Sequence, residues 1–307
     1  MTDLKYGKYI KPLSFIHDVT DSHLQDIKMS SVPLEGLNAH IQYGICSQPG
    51  DKGRDADASY VHSFDTLLLF IGLDLDDMTE LGAEIELSLG AEKEKHLFAH
   101  ASAVAVPKGC PYLPLKVKRL DYPFLLMEIS LTKDWRVERF LSDDQPRTKP
   151  SASDRDKGRI IDLAFRPKAS FYGSGTTQDS GGDITIIMGE DLGFDLHIYY
   201  ESIKKAPYVF GPAPHKGHAH NFEECVLLIG SDPHAPEKLG AEAVEAMGRE
   251  KEDHLITAPV VAIFPKRFPH GPLKITKVEH PFIFMVVSLA AEHHKNESKY
   301  GYKKENG

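Results

Sequence analysis

One internal register constrains this chain more than any other feature: residues 64–131 align with residues 222–289, 158 positions apart and without a gap. About 26 of the 68 paired positions are identical, too many for unrelated segments. Leu81-Gly82-Ala83-Glu84 falls on Leu239-Gly240-Ala241-Glu242, and Pro123-Phe124 falls on Pro281-Phe282. Self-similarity of this length calls for two copies of one folding unit. The copies part company where chemistry would sit. His218, Glu224 and His270 stand opposite Tyr60, Thr66 and Tyr112, and only His220 meets another histidine, His62. The second copy is equipped for chemistry and the first for support.

The repeat also sets expected boundaries. A chain of 307 residues is comfortable for two domains. Residues 1–132 are expected to form the first and residues 159–291 the second. Between them, residues 133–158 carry Ser142-Asp143-Asp144-Gln145-Pro146, a composition that reads as a solvated linker. Residues 292–307 are charged and read as a polar tail. A weaker echo lies upstream of the strict register, with Asn38-Ala39-His40-Ile41 matching Asp195-Leu196-His197-Ile198 at an offset of 157. Within each copy, apolar runs such as 184–188, 195–200, 224–230, 260–264, 274–278 and 282–289 are separated by Gly, Pro and Asp clusters. That cadence predicts an all-β barrel or sandwich, because no long amphipathic helix intervenes. Residues 241–247 contain helix formers, but their partner Glu84-Ile85-Glu86-Leu87-Ser88-Leu89 alternates with period two, so both copies are read as strands.

The chemistry concentrates in Gly217-His218-Ala219-His220-Asn221-Phe222-Glu223-Glu224. On a regular strand, positions 218, 220, 222 and 224 share one face, so two imidazoles and the Glu224 carboxylate converge and Glu223 points away. A fourth donor must come from elsewhere. His270 follows the apolar run 260–264 and Pro265-Lys266-Arg267-Phe268-Pro269, and its repeat partner is Tyr112. Three imidazoles and one carboxylate suit a single divalent transition metal (Fe, Mn, Ni, Zn, Co or Cu) better than Ca or Mg.

With these residues the chain resembles the cupin superfamily, and in particular a two-domain bicupin. His218, His220 and Glu224 fit the HXHXXXE kernel of the first cupin motif, and Pro265 with His270 fits the spacing of PXGXXH in the second. The resemblance implies two tandem cupin-type (double-stranded β-helix, or jelly-roll) barrels, with the metal held inside the C-terminal one by His218, His220, Glu224 and His270. It spans roughly residues 30–132 and 185–290. Departures occur at the opening glycine (Gly211, one place early), at the motif-two glycine (Arg267, where the first copy keeps Gly109) and at the final Asn position, which is Lys274.

Each assignment competes with a plainer one. His218, His220 and Glu224 could sit on a polar strand facing water, but their shared parity and the spaced His270 argue against that. For His62 the plain reading wins, since Tyr60, Thr66 and Tyr112 cannot complete a transition-metal shell. His215 is placed at the barrel mouth, and His96 with His254, matched across the repeat, in a shared structural role. Cys225 has the wrong parity for the site and reads as a packed thiol. Phe222, Phe210, Phe284 and Met285 are candidate pocket-lining residues. Lys274 and Arg267 could meet an anionic substrate, although solvated cations are the commoner reading.

Composition narrows the function classes. The net charge of −9 argues against nucleic acid, and no apolar run approaches the roughly 20 residues of a membrane span. The N-terminus lacks a signal-peptide apolar core. Three widely spaced cysteines form no disulfide framework, so a cytoplasmic location is expected. A small-molecule substrate is the expected partner, and pairing of two chains into a homodimer through exposed sheet edges stays open. By resemblance, the ligand set is shared by dioxygenases, oxalate-type decarboxylases and sugar-acid isomerases. An apolar lining with a metal as the main polar feature leans toward a dioxygenase-type oxidoreductase. A Lewis-acid isomerase or lyase on a sugar-acid or keto-acid, and a non-catalytic small-molecule-binding bicupin, are the alternatives.

Overall fold

The computed structural model describes residues 4–13, 27, 30–32, 34, 36–52, 59–135, 139–141, 158–167, 179–210 and 217–291. Most of the expected linker, the tail 292–307, Gly211 and His215 lie outside the described residues. The chain forms two compact units, Ser14–Ala164 and Phe165–Gly307, the latter taking in Met1–Leu13. Both are all-β, in keeping with two tandem cupin-type barrels. Among the described residues no helix is long and apolar enough to cross a membrane.

In the N-terminal unit one sheet runs Arg159–Asp162, Ser102–Val106, Thr66–Gly72, Phe124–Ser130, His40–Cys46 and Ser30–Val32. The second runs Arg139–Leu141, Ser59–Val61, Tyr112–Leu120, Glu80–Leu89 and Glu94–His100. In the C-terminal unit the first sheet runs Ile10–Pro12, Val260–Phe264, Glu224–Gly230, Phe282–Ser288, His197–Ile203, Asp183–Ile187 and Arg166–Pro167. Its second sheet runs Tyr208–Val209, His270–Val278, Ala241–Met247 and Glu252–Ile256. Residues 241–247 are therefore a strand, as the period-two partner predicts.

The unit boundaries differ from those expected. Ile10–Pro12 pairs antiparallel with Val260–Ala262, the edge of the C-terminal unit's sheet. Arg159–Asp162 pairs with Ser102–Ala105 at the matching edge of the N-terminal unit. Each edge strand thus lies in the unit that the repeat did not assign to it. Edge pairing runs through backbone groups and demands no particular side chain, so a comparison of the two copies does not detect it.

The central strands explain where the site lies. Glu224–Gly230 is buried along its whole length, as are Val260–Phe264 and Phe282–Ser288 apart from a half-buried Val286. Alternation sends Val226, Leu228, Ala262, Phe264, Phe282 and Phe284 into one packed interior with Leu273, Ile275, Ala243 and Met247. Glu224 shares the parity of Val226 and Leu228, and Ser288 that of Phe284, so both polar side chains point into the same interior at one end of it.

Candidate metal centre

Residues 217–223 do not form the regular strand expected. His218 makes an isolated antiparallel bridge with His270, the chain bends at 221–222, and the strand begins only at Glu224. Two reciprocal backbone bonds fix the bridge: His218 N–H to His270 O at 2.8 Å and His270 N–H to His218 O at 2.9 Å. The Arg267 N–H then donates to His220 O at 2.6 Å. The first copy makes the same contact, Gly109 N–H to His62 O at 2.8 Å. Arg267 keeps the left-handed backbone of that glycine, with φ 64° against 79°. The departure from the motif's glycine therefore alters the side chain and not the turn, at the usual cost of a non-glycine residue there.

These contacts bring one donor atom from each of His218, His220, Glu224 and His270 to within 4.8 Å of one another. Among the described residues this is the one such group of three or more His, Cys, Asp or Glu side chains. His220, Glu224 and His270 are buried and His218 is half-buried. Glu224 Oε1 lies 3.3 Å from His270 Nε2, and its Oε2 lies 3.5 Å from His220 Nε2. Ser288 Oγ donates to Glu224 Oε2 at 3.2 Å. His270 Nδ1 lies 3.0 Å from Phe268 O, and its ring stacks on Phe264 at 3.9 Å with a 7° interplanar angle. A donated Nδ1–H at that carbonyl sets the tautomer that leaves Nε2 basic and facing the cluster, as metal-ligating histidines require. Burial of so many nitrogen and carboxylate donors at one point fits a divalent transition metal.

Glu223 points away, as expected, and meets Lys266 at 3.6 Å on the exposed side. Cys225 is buried, and burial pushes its thiol well above the ordinary range. Phe222 stacks on His220 at 4.8 Å, and Phe210 stacks on Phe284 at 3.9 Å. Met285 alternates to the opposite side of its strand from Phe284, and Lys274 is exposed beside the inward Leu273 and Ile275. Those two do not join the cluster. His96 and His254 each lie near the glutamate two residues earlier, Glu94 at 3.9 Å and Glu252 at 2.9 Å, outside the cluster in both copies.

The corresponding point of the N-terminal unit is closed by its own polar contacts. His62 Nε2 lies 2.7 Å from Tyr112 OH, and Thr66 Oγ1 lies 3.2 Å from Ser130 Oγ. Glu128, where the second copy has Val286, accepts from Ser130 Oγ at 3.2 Å and from Trp135 Nε1 at 2.9 Å.

Two interior carboxylates of the C-terminal unit were not anticipated. Glu201 is fully buried and accepts a 2.5 Å hydrogen bond from Tyr199 OH. The register places His197 opposite Ser288, Tyr199 opposite Val286 and Glu201 opposite Phe284, so Tyr199 lies one interior layer, roughly 7 Å along the strand, from the Glu224–Ser288 level. Glu245 is buried on Ala241–Met247 and stands where the first copy has Leu87. The same position-by-position comparison that singled out His270 would have exposed it. Burial pushes the Glu245 carboxyl up to about 7, and the Glu224 charge adds to this, against the pull of His270 and the Gly271 N–H. His270 is held above its ordinary value: burial opposes its charged form, but hydrogen bonding and charge from Glu224 outweigh that.

Both shifts act in one direction on the metal-free protein. A carboxyl raised from 4.5 to about 7 contributes stability that is complete below pH ~4.5 and is lost as pH rises toward 7. A raised imidazole likewise loses its contribution as pH rises through its folded value. Metal-free protein is expected to lose on the order of 3 kcal/mol between pH 5 and 8 from Glu245 alone, measured by denaturant unfolding. An unchanged midpoint across that range would show that Glu245 is not held neutral.

No protein-family profile matches this chain, and no curated protein sequence matches it. Solved structures do. A mutant of Bacillus subtilis oxalate decarboxylase OxdC is similar at TM-score 0.52 and 8% identity, covering 92% of this chain and 80% of that one. A putative glyoxylate-induced protein from Pseudomonas aeruginosa gives 0.51 and 13%, covering 93% and 90%. Hazelnut vicilin from Corylus avellana gives 0.52 and 11%, covering 94% and 87%. At such identities the likeness is one of fold, and it agrees with tandem cupin barrels.

Proposed function

We propose that the C-terminal barrel is a metal-dependent enzyme acting on a small organic molecule, with His218, His220, Glu224 and His270 holding one divalent transition metal. The observation that carries this is the convergence of four donors, three of them buried, in the copy that differs from its twin at three of those positions. Bound there, a metal would supply Lewis-acid polarisation of a carbonyl or enediolate oxygen, with one or two positions left for substrate or water.

The chain's own residues do the rest. Phe284, two interior layers from the Glu224–Ser288 level, stacks on Phe210 to form an aromatic wall. Tyr199 and Glu201 form a hydrogen-bonded pair able to pass a proton at the Tyr199 oxygen. The Tyr199–Glu201 pair places a proton-transfer group in an interior that is lined mainly by apolar side chains and the four donors. Proton transfer at a substrate carbon next to a metal-polarised carbonyl, as in an isomerase or lyase on a keto-acid or sugar-acid, is therefore the reading this geometry favours. The likeness to a decarboxylase, one whose Mn(II) centres have been described, is compatible with it, but one fold serves many chemistries. Oxygen-dependent oxidation is the second reading, supported by the aromatic wall.

The test incubates Mn- or Fe-loaded protein with a panel of small keto-acids, sugar-acids and dicarbonyl compounds in D2O. Solvent deuterium appearing in substrate or product without oxygen uptake, and its loss in Tyr199→Phe, supports the first reading. Stoichiometric oxygen consumption supports the second. A small molecule released unchanged on denaturation, with no turnover of any panel member, would instead make the protein a binding bicupin.

A further inference from the structure

Glu245 is a buried carboxylate beside the four donors, at a position where the same fold is built without one. The strand pair Ala241–Met247 and His270–Val278 is irregular between Glu245 and Met247: Met247 faces His270 and Glu245 faces Leu273. That irregularity turns the Gly271 N–H toward the Glu245 carboxylate, which accepts it at 2.8 Å. The first copy contains the same irregularity, with Leu89 facing Tyr112 and Leu87 facing Leu115. It is built there with leucine in place of the glutamate, so the carboxylate is not needed to form the bulge. A buried carboxylate is costly, and its carboxyl is accordingly raised to about 7. Gly271 follows His270 directly. A Cβ on Gly271 would lie 3.5 Å from the His218 ring, so the same peptide unit also backs that imidazole.

Resting on the metal-dependent reading above, we infer that Glu245 is a positioning residue of the metal centre, fixing the His270–Gly271 backbone and, once a dication is bound, giving up its proton to supply a second negative charge beside the Glu224 carboxylate. Three neutral imidazoles and Glu224 alone leave a dication with one uncompensated charge, which Glu245 balances from outside the ligand shell. Outer-layer partners of this kind change metal affinity by ten- to a hundredfold when removed.

The test titrates the full-length protein with Co(II), reading affinity by chelator competition and geometry by the visible d–d bands. Glu245→Gln keeps an acceptor for Gly271 and removes the charge. It is expected to weaken Co(II) binding at least fivefold with the band shape retained. Glu245→Leu, the residue type of the first copy, removes both and is expected to weaken binding at least tenfold and to shift the bands. If Glu245→Leu does not fold, the Gln variant decides alone. A Glu245→Gln affinity within twofold of the unaltered protein overturns the inference, as does a folded Leu variant with unaltered bands. Failure of the unaltered protein to bind Co(II) would sink the metal-dependent reading itself and is thereby distinguishable.

Discussion

Replacing His270 with alanine is expected to take the purified protein from about one equivalent of transition metal to almost none, with affinity falling by more than ~100-fold, since loss of a ligand should exceed the loss of a partner behind one. His218→Ala should act in the same way, and the double variant should hold no measurable metal. The paired control is sharper than the loss. Glu224→Gln should weaken binding strongly, whereas Glu223→Gln, one residue away and paired with Lys266 on the exposed side, should leave metal content unchanged. His62→Ala removes the first copy's only histidine at an equivalent position, where it meets Tyr112 at 2.7 Å, and should also leave metal content unchanged. Equal metal loss in the His62 variant would overturn the assignment of the metal to the second copy. Metal should also raise the unfolding free energy of the unaltered protein by ~4 kcal/mol at a thousandfold excess over its dissociation constant. Elemental analysis and thermal unfolding with and without metal read both effects, and a full equivalent retained by the double variant would refute the site.

His270 and Glu224 were legible because a gapless register turns each histidine and glutamate into a comparison with its twin, and unlike pairs stand out. The strand parity that selected Glu224 over Glu223 chose the inward residue although residues 217–223 are not a strand: the bridge at His218 and the bend at 221–222 bring the imidazoles round by another path. Parity also shows why Phe284 and Met285 cannot line one pocket together, since adjacent strand residues face opposite ways. Glu245 was hidden by its setting. Its twin is Leu87, an unlike pair the register does expose, but it lies 21 residues beyond Glu224 and no motif spacing ties it to the four donors. Tyr199 and Glu201 fall where the register has slipped by one, outside the strict repeat, so no twin marked them. The edge strands were illegible for a different reason, because their partners lie far away in sequence and are joined through backbone.

The largest consequence of that hidden edge concerns the first thirteen residues. Deleting Met1–Leu13 should destabilise the C-terminal unit by on the order of 5 kcal/mol, since Tyr6, Tyr9, Ile10 and Leu13 together lose apolar contacts worth roughly 1–3 kcal/mol each. Tyr6 and Tyr9 pack on Phe268 with ring centroids at 5.3 and 4.7 Å. Tyr6 OH donates to Glu250 at 2.8 Å, and the Lys5 and Tyr6 N–H groups donate to Glu252 at 3.1 and 2.9 Å. Removal also strips Val260–Ala262 of its edge partner, leaving a buried, apolar strand open to pairing with other chains. Because marginal stabilities are only ~5–15 kcal/mol, aggregation on mild heating is the expected outcome. Metal affinity should fall as well, since Phe268, on which both tyrosines rest, presents the carbonyl that faces His270 Nδ1 at 3.0 Å. A matched pair of point variants isolates the contact. Gly248 and Gly90 are repeat partners with φ 74° and 77°, so alanine at either incurs the same backbone strain of ~1–2 kcal/mol. Only at Gly248 would the new Cβ strike the Tyr6 ring, at 2.2 Å, whereas at Gly90 nothing lies within 4 Å. Gly248→Ala should therefore lower the unfolding midpoint more than Gly90→Ala, and the excess should vanish once residues 1–13 are removed. Equal effects in the two variants, or a thirteen-residue deletion that melts like the full chain, would show that the arm adds nothing to the barrel it edges.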